Sequence, residues 1–499
     1  MPVAELLHRL LLTPAAWEWG RFALILTGLG TVVGIGEFIR RKLGWKAEVT
    51  RKFVHVSVGL LIFFAPSLFE VAFLPMLLAG TFILVDLVAV RKGLLVGMHG
   101  TARYSYGTVY YPFSFLVLII FFWYDAPEIV SLGMASLALG DAAAAIVGES
   151  LHAPHEYHLT RDKKSLEGSA AMFVVTAVTL AGAMALLGLP PRLGWPSVLT
   201  ASLAASVVAT AWEAISSKGL DNFTVPLSVA WALSFFLLPG GDAVQLEWGI
   251  VLAILISIAS WRLKFLTPSG AVATFLLASA MFSVGGWKWT VPILTFFVLS
   301  SLLSVMGKER KRSFEAIFEK GGTRDHLQVA ANGGIPGVLV LLHYLLPSMD
   351  LYPLYVGALA AATADTWGTE IGTFVRGRTI VLPAFRPVPP GTNGGISGAG
   401  FLGGLAGAMV IALSASGWPG DPFPTGAVAA AGVIGALADS MLGSSIQARF
   451  ECVVCGKSTE RAVHCERESR QIGGIGWIRN DAVNAFCTLT GAIAVLIIR

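Results

Sequence analysis

Carboxylate and amide side chains recur inside apolar stretches of the first half of this 499-residue chain. Asp141 stands in the run LALGDAAAAIVGE, and Glu213, Asp221 and Asn222 follow in WEAISSKGLDNF. Such hard oxygen ligands suit Mg2+, which commonly takes one or two carboxylates together with phosphate oxygens. A charge near a bilayer centre costs roughly 2.5 to 3.5 kcal/mol on insertion scales, so an acid there marks a functional site by default. We therefore predict a metal site that includes Asp141, with the other three residues as catalytic candidates.

Basic residues and a glycine-containing turn lie among these acids. Lys163 and Lys164 precede the turn SLEGS, where a helix start would direct backbone N–H groups toward phosphate. Phosphoryl transfer needs positioning, charge neutralisation and a group that orients or deprotonates the attacking oxygen. His55 and Asp221 are both candidates for that base, and the residues alone do not choose between them. The predicted nucleotide-binding residues are Arg51, Lys52, His55, Lys163, Lys164, Ser165, Glu167 and Gly168.

The second half carries a comparable series of polar residues. Asp141 precedes Ser169 by 28 residues, and Asp365 precedes Ser397 by 32. This spacing predicts two distantly similar modules. The catalytic candidates here are Asp365, Asp439 and Asp481, with the first two also as metal ligands; any one of them could instead serve helix packing. The candidate binding residues are Arg324, Gln328, Asn332, Glu370, Asn393, Gly394, Gly395, Ser397, Asn480 and Asn484.

Three of the four cysteines lie in one polar loop, in the sequence CVVCGKSTERAVHC. Cys452, Cys455, His464 and Cys465 fit a small structural Zn2+ site that would stiffen the loop. The adjacency of His464 and Cys465 makes the use of both geometrically awkward. A loop thiol cluster of this kind argues against a disulfide framework.

The elements that must position these residues are membrane helices. The chain is 55% hydrophobic and only 13% charged, with a mean hydropathy of +0.72, whereas soluble domains carry about 25% charged residues. We count about 16 apolar runs near the roughly 20-residue length that spans a bilayer. The sequence therefore predicts an all-α, polytopic integral membrane protein in two modules, residues 1–240 and 247–499, separated by a Pro/Gly break.

The placement of the basic residues predicts the orientation. Most of the 35 Lys and Arg residues fall in alternate loops, for example 39–52, 91–107, 149–168 and 307–327. By the positive-inside rule these loops are cytoplasmic. The polar clusters lie at the same ends of the apolar runs, where a soluble nucleotide could meet a lipid. We expect the lipid bilayer as a partner and no nucleic acid.

The motifs of the first half resemble a known family. RKFVH, LALGDAAAAIVG, KKSLEGS and a Glu followed by DNFTVP are similar to the integral-membrane CTP-dependent lipid kinases, which include phytol, dolichol and diacylglycerol kinases, and most similar to phytol kinases. The resemblance implies transfer of the γ-phosphoryl group of CTP to a long-chain alcohol. The residues on family motif positions are Asp141, Lys164, Glu167, Glu213, Asp221 and Asn222.

The second half resembles the phytyl-phosphate kinases, through TRDHLQVAANGG, ADTWGTEIG, GTNGGIS, ADS and NDAVN. This resemblance implies that the isoprenoid monophosphate is phosphorylated again to the diphosphate, which a downstream prenyltransferase would consume. The corresponding residues are Arg324, Asn332, Asp365, Glu370, Asn393, Ser397, Asp439, Asn480 and Asp481.

Two other interpretations remain at the level of sequence. A dolichol- or diacylglycerol-directed kinase differs only in groove residues that the sequence does not locate. A transporter also uses repeats, broken helices and intramembrane acids, but it does not need lysine and glycine clusters gathered on one face. The choice of CTP rests on the resemblance alone, since nothing in the motifs excludes UTP or ATP.

Overall fold

Helices make up most of both halves of the chain. The computed structural model describes residues 3–92, 106–306, 323–375, 377–390, 392–418, 422–456 and 458–499. These residues separate into two compact units, Met1–Val244 and Gln245–Arg499. Much of the predicted loops 91–107 and 307–327, and the first two residues of the GGTRDHLQ motif, lie outside the described residues.

The first unit is a helical bundle with one short β-hairpin. Proline opens several of its helices, at a position where a missing N–H costs nothing. The antiparallel hairpin joins β1 (Glu156–Tyr157) to β2 (Lys164–Ser165) and leads directly into a helix. The helices are α1 (Val3–Leu10), α2 (Ala16–Lys42), α3 (Ala47–Phe63), α4 (Ala65–Leu68), α5 (Phe73–Lys92), α6 (Gly107–Phe122), α7 (Pro127–Ser136), α8 (Ala142–Ser150), α9 (Leu166–Leu186), α10 (Pro190–Leu193), α11 (Trp195–Ile215) and α12 (Asp221–Leu237).

The second unit has longer helices and two small three-stranded sheets. Its helices are α13 (Ala243–Arg262), α14 (Pro268–Met306), α15 (His326–Leu345), α16 (Tyr352–Val375), α17 (Gly398–Ser416), α18 (Thr425–Ser445) and α19 (Asn480–Ile498). Its strands are β3 (Thr379–Val381), β4 (Arg386–Val388), β5 (Gly395–Ser397), β6 (Arg449–Glu451), β7 (Ser458–Thr459), β8 (Val463–His464), β9 (Arg467–Glu468) and β10 (Arg470–Gly473).

Eleven helices in the described residues are long and apolar enough to cross a membrane. The expected helical membrane fold is therefore confirmed, but the count of about 16 spans is not. One reason is that α14 runs for 39 residues and bends at Gly286, whose φ of 55° lies in the left-handed region. Another is that the apolar runs in α3, α6 and α12 form helices of only 17, 16 and 17 residues.

Small residues set the closest helix contacts in the second unit. A Cβ atom built on Gly435 of α18 would lie 2.5 Å from Ala361 Cβ of α16 and 2.8 Å from Cys487 O of α19. Small residues let membrane helices approach closely without a large apolar interface. Asp365 and Asp439 stand one turn beyond this contact on their helices, so the contact brings them together.

Candidate active sites

Asp141 lies on a π-helical turn, Leu137–Asp141, inside the apolar span Pro127–Ser150. Such turns are rare and are frequent at functional sites. The turn touches α3, because a Cβ on Gly59 would overlap the Cβ of Ala138. His55 and Lys52 lie one and two turns before Gly59, so this contact places both beside Asp141.

Lys52 and His55 hold the Asp141 carboxylate. Lys52 forms an ion pair with Asp141 and also donates to its backbone oxygen at 3.3 Å. His55 Nε2 lies 3.7 Å from Asp141 Oδ2 and 3.2 Å from Leu137 O. Lys52 and Asp141 are each only 8% exposed. A buried ion pair of this kind is a costly way to gain stability, which favours a role in function.

A second ion-pair group forms around Lys164. Strand β2 presents Lys164, whose ammonium pairs with the buried Glu213 near the end of α11 and lies 3.5 Å from Asp221 Oδ2. Burial alone would lower the pKa of Lys164, but the carboxylates of Asp221 and Glu213 outweigh it and raise the pKa. Lys164 is therefore protonated at any physiological pH.

The charge of Asp141 contributes to the raised pKa of Lys164, so we describe the two groups together. We call Lys52, His55, Asp141, Lys164, Glu213 and Asp221 the first charged cluster. Within the described residues, Glu213 Oε2 is buried without a hydrogen-bond partner. A buried oxygen atom without a hydrogen-bond partner destabilises the folded protein by about 1–3 kcal/mol, and by more when it is charged. A divalent cation bound to Glu213 Oε2 would offset this cost.

Several predicted binding residues make other contacts. Lys163 pairs with Glu156 on the exposed side of the hairpin. Glu167 accepts hydrogen bonds from the His155 backbone at 3.0 and 3.1 Å and contacts its ring, so it braces the same hairpin. Arg51 pairs with Glu48 on its own helix. The nucleotide-binding roles of these residues stay predictions.

Ser165 and Asn222, two further predicted residues, form hydrogen bonds at the starts of α9 and α12. The Ser165 hydroxyl accepts from Gly168 N at 3.1 Å and caps α9. Asn222 donates to Gly219 O and to Asp221 Oδ1, each at 3.1 Å. Both contacts fix local backbone beside the first charged cluster.

An apolar pocket with an empty volume of about 730 Å³ adjoins the first charged cluster. Arg51, His55 and Asn222 line it, together with apolar side chains of α2, α3, α5 and α6. Asp86 and Tyr111 also line this pocket, and sequence reasoning missed both. The available signal was an acid in the apolar run FILVDLVAV, the same signal that singled out Asp141.

The second unit contains a pair of facing carboxyl groups. Asp365 of α16 and Asp439 of α18 lie within hydrogen-bonding range of each other, and neither forms an ion pair within the described part of the chain. Asp439 Oδ2 is buried without a hydrogen-bond partner there. Like charges this close repel unless a proton or cation lies between them. The donor set therefore fits a divalent cation.

The GTNGGIS segment lies against the end of α18. Gly394 has a φ of +70°, and a Cβ there would overlap Ser440 O, so the close approach requires glycine. Asn393 Nδ2 is buried and has no hydrogen-bond partner in the described structure. Ser397 caps α17 by accepting from Gly400 N at 3.1 Å.

The remaining predicted residues of the second unit lie on α16 and α19. Glu370 accepts a hydrogen bond from Ser304 at 2.8 Å. Asn480 and Asp481 open α19, and Asn484 follows one turn after Asp481 on the same face, as predicted. Cys487 lies one turn further along α19 and interacts electrostatically with Asp439 and Asp365.

The two units repeat one local geometry. In the first, a Cβ on Gly148 would lie 2.9 Å from the Ser165 hydroxyl. In the second, a Cβ on Gly372 would lie 3.0 Å from the Ser397 hydroxyl. Each glycine follows its aspartate, Asp141 or Asp365, by two helical turns. This agreement supports the hypothesis of two similar modules.

A second apolar pocket, with an empty volume of about 870 Å³, lies among α13, α14 and α15. Its polar lining consists of Arg324, Gln328 and Asn332 with the hydroxyl residues Thr274 and Thr290. The Arg324 guanidinium donates to Ser301 Oγ at 3.1 Å and lies 5.7 Å from the ring centre of Phe296. Burial lowers the pKa of Arg324 to about 10, and no described carboxylate pairs with it. This pocket thus holds a cation without a counter-charge among the described residues.

Gln328 and Asn332 also make local contacts. Gln328 and Asp325 form a capping box at the start of α15, with bonds of 3.0 and 3.2 Å. Asn332 Nδ2 donates to Gln328 O at 3.2 Å. The Gln328 side-chain oxygen is therefore already engaged in the cap.

The cysteine loop brings four ligand atoms together. One atom each from Cys452, Cys455, His464 and Cys465 lies within 4.8 Å of the others. Left-handed backbone at Cys465, with φ of 49°, turns the chain so that adjacent His464 and Cys465 both face the cluster. Bonds to Cys452 Sγ from the N–H groups of Cys455 and Val454 lower the pKa of that thiol to about 6. The arrangement fits tetrahedral Zn2+, and the expected geometric difficulty does not arise.

Known proteins match both parts of this description. Residues 251–492 match the family model described as Integral membrane protein DUF92. Over 229 residues the chain is 31% identical to the phytol kinase of Synechocystis sp., covering 94% of that protein and 44% of this chain. The chain belongs to the phytol kinase family.

Two further relatives align over a smaller part of their own length. Protein PGR of Arabidopsis thaliana is 31% identical over 184 residues, which is 64% of that protein and 34% of this chain. A probable chloroplastic phytol kinase of Triticum aestivum is 36% identical over 146 residues, 45% of its length and 28% of this chain. The chain therefore spans less than two thirds of both. No solved structure matches the chain. The predicted phytol-kinase-type membrane family is confirmed, while the fusion of two kinase domains stays a prediction.

Proposed function

We propose that this membrane protein is a lipid kinase with two active sites. The first unit phosphorylates phytol or a similar isoprenoid alcohol, and the second phosphorylates the resulting monophosphate to the diphosphate. The observation that carries the proposal is the first charged cluster beside an apolar pocket, joined through His55, which lines the pocket and lies 3.7 Å from Asp141. The phytol kinase of Synechocystis sp. supports the choice of acceptor.

In the first unit, the carboxylates would bind the metal ion and the lysines would bind the nucleotide. Asp141, Glu213 and Asp221 are the oxygen donors that would hold Mg2+, and Lys52 and Lys164 would pair with nucleotide phosphates. Bound Mg2+ supplies charge neutralisation on the phosphoryl oxygens. In the free protein the lysines and carboxylates neutralise one another, which limits the cost of keeping them buried.

In the second unit, the charge in the pocket favours an anionic acceptor. Arg324 is a cation at the wall of an apolar pocket without a described counter-charge. Such a pocket is complementary to a phosphate monoester on a long apolar chain, because guanidinium binds phosphate through paired N–H donors. Asp365 and Asp439 would hold Mg2+ in this unit.

Three further features complete the proposal. CTP is the proposed donor, and the basic loops with both sites face the cytoplasm. The cysteine loop holds a structural Zn2+. Two consecutive kinases on one chain raise the effective concentration of the membrane-bound intermediate, which suits a diphosphate destined for a prenyltransferase.

The experiment uses the purified full chain in nanodiscs with phytol, Mg2+ and γ-labelled CTP. We expect labelled monophosphate first and diphosphate later. Unlabelled ATP, UTP, dolichol and diacylglycerol serve as competitors for donor and acceptor. Monophosphate alone would contradict the second activity, and absence of any labelled lipid with all these acceptors would contradict the proposal as a whole.

A further inference from the structure

Asp86 is a buried acid without a partner among the described residues. It lies on α5 among apolar residues and is 5% exposed, and it forms no hydrogen bond or ion pair within the described structure. Burying a carboxylate without compensation is costly. The neighbouring helix α6 carries the hydroxyl groups of Thr108 and Tyr111, but neither donates a hydrogen bond to Asp86 within the described structure. Asp86 therefore points to a ligand.

The surroundings of Asp86 indicate what that ligand is. Asp86 lines the apolar pocket next to the first charged cluster, and so do Tyr111 and Thr108. The hydroxyl oxygens of Tyr111 and Thr108 are both buried without a hydrogen-bond partner in the described part of the chain. The other polar lining residues are Arg51, His55 and Asn222, and the rest are mostly apolar, among them Leu29 and Phe115. The pocket thus combines a long apolar wall with one unpaired acceptor and two unpaired hydroxyl groups.

This combination matches a primary alcohol on a long hydrocarbon chain. A hydroxyl group donates one hydrogen bond and accepts others, so it can donate to Asp86 while it accepts from Tyr111. A site built to hydrogen-bond a hydroxyl rejects an analogue that lacks it, because its polar groups are then left unpaired.

We propose that Asp86 and Tyr111 bind the hydroxyl group of the long-chain alcohol acceptor and select it over the corresponding hydrocarbon. The proposal rests on the proposed function of the first unit and names its acceptor subsite.

Binding without nucleotide tests the subsite directly. The full chain in detergent is incubated with radiolabelled phytol, which is then competed with unlabelled phytol or with phytane, the hydrocarbon that lacks the hydroxyl. We expect phytol to compete better than phytane by about 10- to 100-fold in the wild type, the worth of a hydrogen bond to a charged group. Asp86→Leu should remove this preference, and Tyr111→Phe should weaken it.

Stability measurements separate binding from folding. Because Leu fits an apolar pocket better than an unpaired acid, Asp86→Leu should melt at the wild-type temperature or above. Asp125→Asn, which changes an exposed acid paired with Arg9, is the matched control and should keep the preference.

Each outcome has a distinct meaning. Absence of phytol binding in the wild type, an undiminished phytol preference in Asp86→Leu, or a lower melting temperature for that variant would overturn the proposal. If the wild type binds phytol selectively but transfers no phosphoryl group, the proposed function fails while the subsite stands.

Discussion

Asp365 and Asp439 face each other one helical turn beyond the tight contact between α16 and α18 at Ala361 and Gly435. Neither carboxyl group has a cationic partner among the described residues. The backbone packing thus brings together two groups that repel each other. A cation bound between them would be attracted by both carboxylates, so their mutual repulsion favours cation binding.

Substitution of either member of this pair should abolish the second phosphorylation alone. Asp365→Asn and Asp439→Asn should each lower the rate of diphosphate formation from supplied phytyl phosphate by at least about 100-fold, since a metal ligand is lost. Each should melt at or above the wild-type temperature because like-charge repulsion is removed. Monophosphate formation from phytol is the internal control, and its loss in these variants would contradict the assignment of separate sites.

Asp141 should show the opposite pattern in the first unit. Asp141→Asn should abolish phytol phosphorylation and leave the conversion of supplied monophosphate intact. It should also destabilise the protein by about 3–5 kcal/mol, because Lys52 is left buried and unpaired.

The double variant Asp141→Asn with Lys52→Met separates these effects. It should recover much of the lost thermal stability but none of the activity. Recovery of activity along with stability would mean that Asp141 acts only through folding.

Arg324 should govern the affinity of the second unit for its acceptor. Arg324→Leu should raise the KM for phytyl phosphate about 10- to 100-fold, the worth of a charge-assisted bond, while the KM for nucleotide changes little. Arg324→Lys should be intermediate, because a lysine keeps the charge but loses the planar fork. Arg499→Leu, which removes an exposed arginine paired with Asp350, is the control. Equal effects on both KM values would instead favour nucleotide binding by Arg324.

The cysteine loop should carry about one Zn2+ per chain. Metal analysis of the purified protein should find it, and Cys452→Ser or Cys455→Ser should remove it and make the loop more sensitive to protease. Cys487→Ala changes the one cysteine outside the cluster and should leave the zinc content unchanged. A wild-type protein without zinc, grown in zinc-supplemented medium, would refute this site.

Intramembrane acids were the most reliable signal in the sequence. Because a charge in an apolar run is costly, Asp141, Asp365 and Asp439 could be selected from one-dimensional information, and the structure places each with other polar groups. The same rule applied to Asp86, but no motif surrounds it, so the sequence offered no partner to strengthen the signal. The role of such a residue depends on which pocket it lines, and that is a property of packing.

The sequence alone could not assign different contacts to the adjacent residues Lys163 and Lys164. Lys163 and Lys164 have the same chemistry, but Lys163 precedes β2 and pairs with the exposed Glu156, whereas Lys164 opens β2 and pairs with the buried Glu213. The π-helical turn at Asp141 was equally invisible, because its residues suit an α-helix just as well. These features follow from register and helix winding, which tertiary contacts decide.

Gly435 packs tightly against Ala361 because its side chain is a single hydrogen atom. This small side chain affects the geometry of the proposed metal site one turn away. A methyl group at position 435 would have to push α16 and α18 apart, and the two carboxylates one turn away would separate with them. The spacing of the two proposed metal ligands is thus set by a residue that has no functional group. A larger residue at this position should change which cation the proposed site accepts, although both carboxylates stay in the sequence.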